Sequence, residues 1–168
     1  RLKVYVENEF PNIKYALDEP STYLIHCGDK FILTLVLPGA YSVDKYYRLE
    51  RGWSWFPMEQ CNEKERKLGT VLTRSWDKPW DLILSHTCPA IYEPTDLFLP
   101  TVDQSTVDKT TEWWLGEIEY QVNYKLWCWG HYHANRVYPN TDGQDKLMLS
   151  NNCVLDLEKY FDDNKNLY

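Results

Sequence analysis

Two apolar runs that each end on a histidine constrain this chain more than any other feature. Trp80-Asp81-Leu82-Ile83-Leu84-Ser85 leads into His86, and Leu126-Trp127-Cys128-Trp129 leads into Gly130-His131-Tyr132-His133. Both runs are short and dominated by large apolar residues, the pattern of a strand buried in a sheet. Pro89 forbids continuation of the first, and Gly130 lets the backbone turn or approach a neighbour closely at the end of the second. Between them, Thr106 or Asp108 can cap a helix through Lys109, Trp113, Trp114, Leu115, Ile118 and Val122, where apolar residues recur at three- and four-residue spacing. Strand, helix and strand predict a crossover with both histidine loops at one end of a parallel pair. In extended backbone His131 and His133 share a face, whereas in a turn they converge from two directions. Imidazole is the commonest protein ligand for borderline divalent ions, so His86, His131 and His133 are candidate metal ligands. Paired histidines on a loop are also ordinary surface residues. The repeat of the pattern on a second strand is what favours the metal reading. The fourth histidine, His26, lies within the alternating segment Ser21 to His26 and reads as structural.

Composition narrows the function classes. At 168 residues the chain has the length of one domain with a real core, and eight Trp and thirteen Tyr argue against disorder. A formal net charge of −7 does not suit a whole-surface nucleic-acid scaffold, although a local basic pocket remains compatible with it. No apolar run approaches the roughly 20 residues needed to span a bilayer. Five widely spaced cysteines without a C-x-x-C pair fit a reducing compartment, and a cytoplasmic protein is the expectation. Cys88 and Cys128 lie near the histidines and read first as small buried residues, with thiolate ligation as the alternative.

The remaining segments read as follows. The opening, Arg1 to Pro11, has no start signal, as though something came before it. Ile13 to Leu17, Ser21 to Cys27 and Lys30 to Leu37 are β-type runs separated by turn compositions. Pro38-Gly39-Ala40-Tyr41-Ser42 closes the last of them as a tight loop that could edge a site. Asp44 to Arg48 is briefly helical, and Gly52 to Pro57 carries aromatics that line a substrate mouth or, more simply, pack beneath a loop. Asn62 caps a surface helix running to Thr73. Asp142-Gly143 marks a turn, and Lys146 to Leu157 reads as a strand or hairpin.

Taken together, Pro38 to Arg48, Leu84-Ser85-His86-Thr87-Cys88-Pro89, Asp103 to Lys109 and Gly130-His131-Tyr132-His133 resemble the calcineurin-like metallophosphoesterases, in particular bacterial and phage-type serine/threonine phosphatase-like members. The resemblance covers roughly residues 12 to 138. It implies an α/β fold, an incomplete four-layer α/β/β/α metallophosphoesterase sandwich, with residues 1–168 forming the C-terminal two thirds of the domain. It implies two divalent metal ions, manganese by expectation with iron or zinc as alternatives. His86 and His131 would serve the second metal and His133 the first. The expected reaction is hydrolysis of a phosphate ester, from a phosphoprotein or a nucleotide, by a two-metal hydroxide mechanism. Tyr41 and Arg136 are near enough in sequence to the motifs to be substrate-contacting, catalytic candidates.

The family's Asp-x-His, Gly-Asp-x-x-Asp and Gly-Asn-His motifs do not occur here. A two-metal centre needs a bridging carboxylate to hold its ions about 3.5–4 Å apart, which imidazoles cannot provide. The chain alone is therefore expected to be inactive until a missing N-terminal segment or a complementing chain completes the site. The reading from another class is a non-catalytic binding or assembly module on a degenerate scaffold, motivated by Trp53, Trp55, Trp113 and Trp114 as partner-contacting residues. A third is structural binding of a single ion by all three histidines.

Overall fold

The computed structural model describes residues 9–10, 13–16, 18–140, 142–150 and 152–163. Six strands form one mixed sheet: β1 (Ser21–Cys27), β2 (Lys30–Leu37), β3 (Trp80–Ser85), β4 (Tyr124–Trp129), β5 (Arg136–Tyr138) and β6 (Asp145–Met148), in the spatial order β1-β2-β3-β4-β6-β5. The three central pairings are parallel, and both edge pairings are antiparallel. Among the described residues they are accompanied by the helices α1 (Lys45–Glu50), α2 (Glu63–Arg74), α3 (Thr110–Glu119) and α4 (Leu157–Asp163). The class is therefore mixed α/β, and one sheet is present among the described residues.

The continuous apolar runs are explained by burial on both faces, as expected of parallel strands. On one face Leu35, Leu37, Ile83, Trp127 and Trp129 pack with Trp114, Leu115 and Ile118 of α3. On the other, Ile32, Leu82, Leu126, Cys128 and Leu147 lie beneath Leu155 and the α4 residues Leu157, Tyr160 and Phe161. Cys88 and Cys128 are buried free thiols, as their reading as small core residues requires. His26 sits on β1 against the Phe31 ring at 5.0 Å.

Helix α2 begins where its sequence says it should. Asn62 Oδ1 accepts from Glu65 N at 3.1 Å while Glu65 Oε2 accepts from Asn62 N at 2.8 Å, a reciprocal capping box. Gly69 on this helix admits the Trp114 indole so closely that a Cβ there would collide with it. Of the two candidate caps for α3, Asp108 braces the helix start, accepting from Thr110 N at 2.9 Å, while Thr106 belongs to a separate 3-10 turn.

Three expectations need correction. Residues 13–16 are exposed coil rather than strand, and Leu17 lies outside the described residues. The α3 helix stops at Glu119, because Tyr120–Asn123 must return to the sheet; Val122 is buried in that connection, and Trp80 N donates to Asn123 O at 2.8 Å. The expected strand or hairpin from Lys146 to Leu157 ends at Met148: Leu149 N still donates to Trp129 O at 2.8 Å, but β4 itself stops at Trp129, and Leu155 packs on the second core face from outside the sheet. No helix among the described residues is long and apolar enough to cross a membrane.

Candidate functional site

The parallel register sets the site. Leu37 pairs with Ser85 and Ser85 with Trp129, so the loops after β2, β3 and β4 leave the sheet at the same carboxyl edge. Gly130 N donates to His86 O at 3.1 Å and ties two of these loops together one residue beyond the strands. At Gly39 the φ of 93° and a Cβ position 2.9 Å from Cys61 N both demand glycine, which lets the first loop fold under residues 59–61.

The two open geometries for His131 and His133 resolve to the turn. Both take left-handed backbone, with φ of 68° and 55°, and no other described non-glycine residue has positive φ. Such conformations cost about 1 kcal/mol or more each and persist where surrounding contacts enforce them. The enforcing contacts run through Tyr132. Its hydroxyl lies 3.1 Å from Thr87 Oγ1 and accepts from Cys88 Sγ at 3.4 Å. Those are the two residues after His86, so one phenol pins the two histidine loops to each other. Phe98 stacks on the Tyr132 ring at 6.4 Å.

As a result His131 Nδ1 stands 3.3 Å from His86 Nε2. Two nitrogens bound to one ion at about 2.1 Å, at angles between octahedral and tetrahedral, lie roughly 3–3.4 Å apart, so the pair fits two positions of one coordination shell. Burial pushes the His131 imidazole down to about 4, helped by His86 and His133. Part of His86 is open to the cavity, yet the atoms around it still desolvate the ring and lower its pKa, with His133 adding to the effect. Both rings are thus neutral near pH 7, the form that ligates. His133 is exposed on the cavity rim. Among the described residues no three His, Cys, Asp or Glu side chains gather closely enough to hold one ion, so structural binding by all three histidines is not supported.

These loops border a cavity of about 1090 Å³, walled by residues 38–44, the three histidines, Tyr132 and apolar side chains between residues 97 and 107. Tyr41 is in the wall, half-buried, and burial raises its phenol pKa. Arg48 also lines it, held by Asp44 at 2.8 Å and Glu59 at 3.2 Å, and Ser42 Oγ donates to the same Glu59. Arg136 is placed differently. On edge strand β5 it forms a bidentate pair with Asp96 at 3.0 and 2.6 Å and does not belong to the cavity wall.

Sequence reasoning missed Tyr132 and Glu112. The first is visible only as the residue between two histidines. Glu112 is 4 % exposed, borders the cavity, and has one carboxylate oxygen without a partner among the described residues. Burial raises its pKa, opposed by hydrogen bonds from its own backbone and from Thr87. The aromatic candidates separate: Trp114 is core, whereas Trp53 and Trp113 are exposed, and Phe56 is exposed rather than packed beneath its loop. No family model matches this sequence, and no curated protein matches it either.

Proposed function

We propose that this chain supplies the histidine ligands of a metal-dependent phosphoesterase. The observation that supports this reading above others is the 3.3 Å approach of two neutral imidazoles from two strand ends. His86 and His131 would hold one divalent ion and His133 a second, with manganese as the first candidate and iron or zinc as alternatives. When bound, such a pair of ions polarises phosphate oxygens and generates a hydroxide nucleophile at neutral pH. The chain's own groups serve around it: the Tyr41 phenol in the cavity wall can donate to a phosphate oxygen, while Arg48 on the same wall is already paired with Asp44 and Glu59. The carboxylates that bridge the ions would come from a complementing segment, and the six-stranded sheet would be one of the two in an α/β/β/α sandwich.

Calorimetric titration with Mn²⁺ and Zn²⁺ tests the reading. Binding of an ion that is lost in both His86→Ala and His131→Ala is expected, and para-nitrophenyl phosphate hydrolysis should appear only with the complementing segment present. An intact chain that binds neither ion, or binding indifferent to His86→Ala, refutes it. The exposure of Trp53 favours the binding-module alternative instead, in which a Trp substitution abolishes the biological role and His86→Ala does not.

A further inference from the structure

The surface beside the cavity carries an unusual combination of groups. Helix α1 buries none of its residues, and Tyr46, Tyr47, Trp53, Phe56 and Met58 are all exposed within the stretch from residue 46 to residue 58. Two cations lie over these rings. Lys45 Nζ is 4.0 Å from the Trp55 ring centre and 5.7 Å from that of Tyr46, and Arg51 Cζ is 4.3 Å from Tyr47 and 6.0 Å from Trp53. Neither forms an ion pair among the described residues, unlike Arg48 between its two carboxylates. The strip is continuous with the cavity: Trp53 N donates to Arg48 O at 2.8 Å, and Arg48 and Met58 are themselves in the cavity wall.

Flat apolar faces interleaved with unneutralised cations match a ligand that alternates flat rings with negative charge. We infer that this strip binds single-stranded nucleic acid, bases stacking on Trp53 and Tyr47 while Lys45 and Arg51 meet phosphates. Paired bases in a duplex present no open face to such a platform, so an unpaired strand is required. The net charge of −7 opposes approach at long range and confines the attraction to this strip. The inference rests on the phosphoesterase reading only in assigning the strip a purpose, which is to guide a strand's phosphates toward the cavity.

Fluorescence anisotropy of a dye-labelled oligothymidylate of about 12 nucleotides, added to the full chain, tests it. Each stacked base contributes to affinity on its own, so Trp53→Ala and Tyr47→Ala should each weaken binding about fivefold or more. Two phosphate contacts give a log–log salt slope near −1.4, about a 25-fold loss between roughly 20 and 200 mM salt, and Arg51→Gln should halve that slope. These side chains are exposed, so melting temperatures should stay close to wild type and separate lost binding from lost folding. No binding at low salt, equal binding of a duplex, indifference to Trp53→Ala, or tighter binding of a Glu-rich peptide or anionic vesicles overturns the inference. Oligonucleotide binding without metal binding removes the phosphoesterase reading alone, and metal binding without oligonucleotide binding removes this inference alone.

Discussion

Removing one oxygen atom, in Tyr132→Phe, should loosen the whole histidine arrangement. The phenol joins Thr87 Oγ1 at 3.1 Å and Cys88 Sγ at 3.4 Å, and both partners are fully buried. A buried hydroxyl pair is worth about 1 kcal/mol net, and the thiol contact adds less, so the expected loss is about 1–2 kcal/mol. Phenylalanine retains the stacking on Phe98 and opens no cavity, so the effect isolates the hydroxyl. In a protein of this length each kcal/mol shifts the melting temperature by about 2–4 °C, giving a fall of about 2–8 °C. The substitution also releases the turn that holds His131 against His86, and on the proposed metal reading changes behind the ligands typically cost about 10–100-fold in affinity. The lower end is expected here, because Tyr132 orients the backbone rather than a ligand ring.

Thermal melts and Zn²⁺ calorimetry on Tyr132→Phe, Thr87→Val and the double variant make a mutant cycle. Coupling of about 1 kcal/mol between the two sites is expected. Simple additivity together with unchanged metal affinity would refute the argument that this hydroxyl pins the loops together.

Two further outcomes follow from the same structure. The depressed His131 pKa means that below about pH 6.5 the unfolded chain takes up a proton that the native chain refuses. Its stabilising contribution is therefore complete above that pH and is lost as pH falls toward about 4, a difference of about 3 kcal/mol from this group, with His86 acting in the same direction. Urea midpoints in chelator between pH 7 and pH 4.5 should show this, and His131→Asn, which tolerates left-handed backbone, should flatten the dependence; an unchanged slope refutes it. Gly69→Ala ought to stabilise an ordinary helix by up to about 1 kcal/mol, yet the collision with Trp114 should make it net destabilising by about 1–3 kcal/mol in denaturant titration.

Local chemistry was legible wherever one residue type had few ways to satisfy its backbone or its burial. The runs ending at Ser85 and Trp129 announced interior strands because such continuous apolarity has no solvated solution. Asn62 announced a helix start, because its short polar side chain can satisfy a free backbone donor of the first turn, and in the structure Glu65 completes the cap by accepting from Asn62 N. From two strands and an intervening helix, even the common edge shared by His86 and the His131–His133 turn could be read, since crossovers are right-handed and parallel. Contacts between segments distant in sequence were not legible. Lys146 looks like a solvated lysine on a strand, yet it is 2 % exposed, 3.0 Å from Asp142 and 3.8 Å from Glu119. Arg136 follows the histidine motif by three residues, and the edge strand carries it away to Asp96.

The sequence by itself determined that the runs before His86 and His131 are interior strands, where those two end, and that their ends carry imidazoles, because periodicity and backbone chemistry act over a few residues. Only the tertiary structure decided that His131 meets His86 while His133 stays on the rim, that Tyr132 holds this arrangement, and that the aromatics after α1 face solvent. The first two of these depend on side chains brought together from 44 or 45 residues apart, as His131 and Tyr132 are from His86, Thr87 and Cys88, and no local pattern encodes such a meeting.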